Sequence, residues 1–118
     1  AERASLHAWH ANVSGGALRL DLVWSLPEGG ASGLSFFAHL AAGDLRPLAQ
    51  ADASLPDGDG FVAARYPIDL TGVPAGRYQL LLGVYDPATG SRLLAHSGAD
   101  HVVLADVVIG ERPSVTPR

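Results

Sequence analysis

Residues 76–90, Gly-Arg-Tyr-Gln-Leu-Leu-Leu-Gly-Val-Tyr-Asp-Pro-Ala-Thr-Gly, constrain the fold of this chain more than any other stretch. Tyr78, Leu80, Leu82 and Val84 recur at a period of two, which places them on one face of a β-strand. Asp86-Pro87 ends the ladder, because Pro87 has no N–H and presets the first corner of a turn. Gly90 supplies the left-handed conformation that closes such a loop. The segment predicts a strand, a tight turn and a returning strand, and so an antiparallel all-β chain.

The same grammar repeats along the sequence. Ser5 to Val13 reads as a first strand, and Asn12-Val13-Ser14-Gly15-Gly16 supplies turn residues. In Ala17 to Leu26 the residues Leu18, Leu20, Leu22, Trp24 and Leu26 share one face, with Arg19, Asp21 and Ser25 on the other. Leu34 to Ala42 carries bulk on both faces: Leu34, Phe36, Ala38 and Leu40 on one, Phe37 and His39 on the other. That pattern predicts a central strand. Leu45 to Ser54 and Phe61 to Leu70 each contain a proline, Pro47 and Pro67, which assigns them to edges or bulges. Ser91 to His96 reads as a short strand, and His101 to Ile109 as the last one. Residues 1–110 form one domain in this reading, and 111–118, with two prolines, a tail or linker. Seven or eight short strands with turns every 8–12 residues predict an antiparallel β-sandwich. No window sustains helical spacing with caps.

Composition narrows the chemistry. The 118 residues suit one domain. Without cysteine there are no disulfides, zinc–thiolate sites or cysteine nucleophiles. All eight basic residues are Arg, the net charge is −4 and no basic stripe occurs, which argues against a nucleic-acid partner. No apolar run approaches the ~18 residues of a membrane span, so this chain inserts no segment directly. It starts at Ala1 and lacks Met, and reads as a fragment of a longer protein.

Pro74-Ala75-Gly76-Arg77-Tyr78-Gln79-Leu80 resembles the lead into strand F of immunoglobulin-like and fibronectin III-like domains. The resemblance implies that the Tyr78 hydroxyl bonds back to the main chain as a tyrosine corner. The wider series adds Leu20-Asp21-Leu22-Val23-Trp24, Phe36-Phe37-Ala38-His39-Leu40 and Gly83-Val84-Tyr85-Asp86-Pro87. With it, most of the chain resembles the β-sandwich domain near the C-terminus of bacterial multi-pass membrane proteins of the glycosyltransferase 39 type. That resemblance implies a domain outside the membrane with no assigned activity. The catalytic residues of such proteins lie in their membrane portion, so none transfers to this chain.

Candidate chemistry is sparse. Asp57-Gly58-Asp59-Gly60 offers two carboxylates, short of the six to eight oxygens calcium takes. His7 and His10, three apart on a strand, fall on opposite faces. His96 and His101 flank a turn, His39 sits mid-strand, and no third ligand is evident for any pair. No Gly-x-Ser-x-Gly elbow occurs. Asp21, Asp69, Asp86 and Asp106 fall on exposed faces or in turns. No metal, cofactor or catalytic residue is expected. Among the aromatics Trp24 belongs to the core face. Trp9 shares a face with His7: if that face is outward, Trp9 is an exposed contact for sugar or protein, with Tyr85 as a neighbour; otherwise both pack inside. The expectation is a non-catalytic, extracytoplasmic accessory domain of a membrane-anchored bacterial protein, making protein or glycan contacts. A carbohydrate-binding module is the alternative. Oligomeric state stays open, since an unprotected edge strand pairs readily and Pro47 and Pro67 guard only two places.

Overall fold

A computed structural model describes residues 4–30, 33–44, 46–92 and 100–118. Eight strands follow in order: β1 (Ser5–Ser14), β2 (Ala17–Leu26), β3 (Ser35–Ala41), β4 (Pro47–Ser54), β5 (Gly60–Asp69), β6 (Gly76–Tyr85), β7 (Val102–Ile109) and β8 (Ser114–Pro117). They form two antiparallel sheets, one ordered β1-β2-β5 and the other β4-β3-β6-β7-β8. The chain is an all-β sandwich.

Local chemistry explains the first hairpin. Gly15 and Gly16 both take positive φ, 61° and 79°. A two-residue type I′ turn needs that conformation at both central positions, and its twist matches that of the strands. The turn sets Ser14 opposite Ala17, and Trp9 opposite Leu22. Asn12 to Ser14 therefore continue β1, and only the two glycines turn. β2 then pairs along its whole length with β5, from Ala17↔Asp69 to Leu26↔Gly60.

The core lies between the sheets. Leu18, Leu20, Leu22 and Trp24 of β2 are fully buried, opposite Phe36, Leu40, Leu80 and Val107 of the larger sheet. An aromatic cluster ties the layers: Phe36 lies 5.7 Å from Trp24 and packs edge-on to Tyr66 at 4.5 Å. Burial pushes the Tyr66 phenol pKa up, and the nearby Trp24 indole opposes that. The two are not aligned for a hydrogen bond, and among the described residues Trp24 Nε1 has no partner.

Two of the edges fall where proline predicts them. β4, which starts at Pro47, borders the larger sheet, and β5, which holds Pro67, borders the smaller one. β3 lies between β4 and β6 and is buried on both faces. The tyrosine at the start of β6 donates its hydroxyl hydrogen to the Pro74 carbonyl oxygen at 2.6 Å. This bond bends the chain back on itself where it enters the sheet.

Two expectations need correction. Residues 111–118 are not simply a tail: Ser114–Pro117 pairs with β7, with Val107 opposite Val115. Val115 packs against the core, Arg118 N–H donates to the Leu104 carbonyl, and Arg118 Nε pairs with Asp106. Pro113 and Pro117 lie at the margins of this short edge strand, where a missing N–H costs no ladder bond. The second correction concerns β1. Its register shifts between Leu6 and Ala8, so the simple alternation of faces fails at His7. The expected strand at Ser91–His96 lies outside the described residues from position 93 on; within them, Arg92 makes an isolated bridge to Tyr85.

Candidate functional site

The bulge in β1 decides which side chains meet on the outside of the smaller sheet. Beyond it, Trp9, Ala11 and Val13 face the core, while Ala8 and His10 face out beside Val23 and Asp21 of β2. His7 stacks on Phe61, the first side chain of β5, with ring centroids 4.3 Å apart and planes at 28°. Phe61 is 69% exposed, the largest value among the exposed large hydrophobic residues. His7 and His10 thus share the outer face, where strict alternation would separate them.

Charge sits next to this aromatic pair. Arg65 Nε donates to Asp21 Oδ1 at 2.6 Å, and His10 Nδ1 stands 4.0 Å from Asp21 Oδ2. Ala8, Val23 and Ala63 occupy the register between the rings and the charges. The surface is an exposed aromatic platform, then a small apolar strip, then an ionic cluster. The chemistry such a face offers is stacking at one end and hydrogen bonding at the other.

The outer face of the larger sheet is arranged differently. Phe37 of β3 is buried there, and it lies over Gly83 of β6, where an added Cβ would overlap the ring. The Arg92 guanidinium covers Phe37 at 4.5 Å from the ring centre. Arg92 also donates to Asp100 at 3.2 Å, and His101 Nδ1 donates to Asp100 at 2.9 Å. These bonds, the His101 one foremost, hold the Asp100 carboxyl below its usual range. Burial pulls the His39 imidazole below its usual value; the Asp52 carboxylate opposes that and Arg92 reinforces it. Arg92 and Asp100 close over Phe37, so this cluster latches the described residues on either side of 93–99 to the sheet.

The two residues singled out as contacts are not neighbours. Trp9 is half-buried and packs on the core at the open seam between β1 and β8. It lines a groove of about 380 Å³ with His10, Ala11, Val115 and Pro117. Tyr85 lies at the end of β6 on the outer side of the other layer, 6.4 Å from the Phe37 ring. The sequence reading missed Phe61. Its alternation against Val62, Tyr66 and Ile68, which face inward, was the available signal.

Two of the remaining carboxylates close turns. Asp69 accepts from the Thr71 hydroxyl and N–H, which lowers its pKa and closes the turn after β5. Asp86 accepts from Ala88 N–H in the next turn. Asp57 and Asp59 are exposed in the loop before β5. Among the described residues no group of three or more His, Asp or Glu side chains is placed to hold a metal ion. His96 lies outside the described residues. No helix among the described residues is long and apolar enough to cross a membrane. Neither a family model nor a curated protein matches the chain.

Proposed function

We propose that this domain is a non-catalytic, immunoglobulin-like accessory domain of a larger bacterial membrane protein, exposed outside the cytoplasm and making contacts through the outer face of its smaller sheet. The observation that carries the contact reading is the His7–Phe61 stack, an aromatic pair left in solvent beside the Asp21–Arg65 ion pair. The stack is continuous with the small apolar strip of Ala8, Val23 and Ala63, and contiguous exposed apolar surface marks interaction sites.

The strand order supports the immunoglobulin-like part. In constant-type immunoglobulin domains the strands lettered in chain order form sheets ABED and CFG. Here β1-β2-β5 correspond to A, B and E, and β3-β6-β7 to C, F and G, with the fourth strand beside the third instead of the fifth. The tyrosine-corner bond falls on the sixth strand, the F position. The membrane-anchored parent and the extracytoplasmic location rest on the sequence resemblance alone.

A carbohydrate-binding module is the second reading, favoured by the same stack, since sugars pack on flat aromatic faces. Calorimetric titration with oligosaccharides separates the two. Heat at millimolar ligand that vanishes in Phe61→Ser supports the module. Silence, with Phe61→Ser also leaving pull-down of the parent's partners unchanged, removes this face from both readings. Reporter fusions to the full-length parent test location: a cytoplasmic signal for this domain defeats the accessory proposal.

A further inference from the structure

The four sheet edges are not equally protected. β4 begins with Pro47 and carries Asp52, and β5 carries Pro67 and Arg65. β8 has four residues and ends in Pro117. Proline, charge and shortness are the usual defences against edge-to-edge pairing. β1 has ten residues, Ser-Leu-His-Ala-Trp-His-Ala-Asn-Val-Ser, with no proline, carboxylate, Lys or Arg. Its single defence is the bulge between Leu6 and Ala8, which leaves residues 8–14 regular and, among the described residues, unpaired on their outer edge.

We propose that β1 is a self-association edge: two copies pair antiparallel through residues 8–14 about a two-fold axis at Ala11, joining their three-stranded sheets into one. Backbone geometry selects this register. Ser14 and Ala17 flank a two-residue turn and form a hydrogen-bonded pair. Such pairs alternate, so Asn12 and His10 also bond to β2, while Val13, Ala11 and Trp9 direct their N–H and C=O groups to the open edge. Centring on Ala11 sets Trp9 of one copy opposite Val13 of the other and Ala11 opposite itself. About six new backbone bonds form, two for each hydrogen-bonded pair.

The side chains suit that register. On the core side an aromatic meets a β-branched residue, a favourable cross-strand pair, beside the groove that Trp9 shares with Val115 and Pro117. Ala11 meets itself without crowding. On the outer side His10 faces Asn12 and Ala8 faces Ser14, so no like charges oppose. A two-fold interface needs this self-complementarity, and the neutral strand supplies it. Seven residues at about 3.3 Å each give an edge of about 23 Å by about 10 Å. That is roughly 230 Å² per copy, well below the ~800 Å² of a stable complex. The pairing is therefore weak and concentration-dependent.

Sedimentation velocity from micromolar to millimolar protein tests this. A monomer that shifts to dimer near the top of the range is expected. His10→Lys with Asn12→Lys sets introduced lysines opposite each other across the axis and abolishes the shift. His10→Lys with Asn12→Glu sets opposite charges together and strengthens association about fivefold, as two cross-strand ion pairs would. Both positions are exposed, and circular dichroism confirms that each variant folds. A constant monomer at millimolar concentration overturns the proposal. So does a dimer that responds equally to both variants, because its interface is then elsewhere.

Discussion

Replacing Tyr78 by Phe removes one oxygen and keeps the ring. The ring is 7% exposed and belongs to the core, so its packing survives the change. What disappears is the 2.6 Å bond to the Pro74 carbonyl, four residues back. A neutral hydrogen bond contributes about 0.5–1.5 kcal/mol net, and an acceptor left sealed and unpaired adds about 1–3 kcal/mol. Pro74 is exposed, so water can replace the lost donor and most of that second cost is avoided. The expected loss is about 1–1.5 kcal/mol. Urea unfolding, with the slope held in common, measures it, and Tyr85→Phe is the control. The Tyr85 phenol lies at the end of β6 on the outer side, away from any corner. Its loss should stay within about 0.5 kcal/mol. If Tyr78→Phe costs no more than Tyr85→Phe, the corner bond does not hold the β5–β6 crossover and the reasoning fails.

Other outcomes follow from the same geometry. Gly83→Ala forces a methyl into the Phe37 ring and within 2.8 Å of the Asp100 carbonyl, and should cost about 3 kcal/mol in thermal unfolding. Removing residues 111–118 strips Val115 from the core and should lower stability by about 1–2 kcal/mol; a free tail would leave the melting curve unchanged. His39 has a folded pKa below its unfolded 6.5, so the unfolded chain binds more protons between the two values. Stability is full above pH 6.5 and falls as pH drops through that window, and His39→Gln should flatten this part of the denaturation profile. Neutralising the exposed Arg65–Asp21 pair by Asp21→Asn should leave the melting temperature close to that of the unaltered protein, because solvent screens the pair.

Alternation made the larger features legible. β2 reads inward and outward without a break because it pairs in unbroken register with β5 and the extra residue against β1 lies on the β1 side, so Leu18 to Leu26 needed no tertiary information. Pro47 and Pro67 marked edges because a residue without an N–H is excluded from the middle of a ladder. The bulk on both faces of β3 marked a central strand, and Phe37 is indeed buried on the outside. The candidate surface was harder to read. Trp9 and Tyr85 stood out as large rings, yet one closes the seam of the core and the other borders the Phe37 latch. Phe61, at the end of a loop rich in Asp and Gly, drew no attention.

By itself the sequence determined the class of fold, the shared faces of β2, β3 and β6, most of the turns and the two proline-marked edges, because all of these depend on residues a few positions apart. Three things were left to the tertiary structure: the bulge that brings His7 onto the face of His10, the return of Ser114–Pro117 to the edge of β7, and the contact of His7 with Phe61 across the width of β2. Each depends on a pairing partner distant in the chain, and a period of two carries no information about which strand lies alongside.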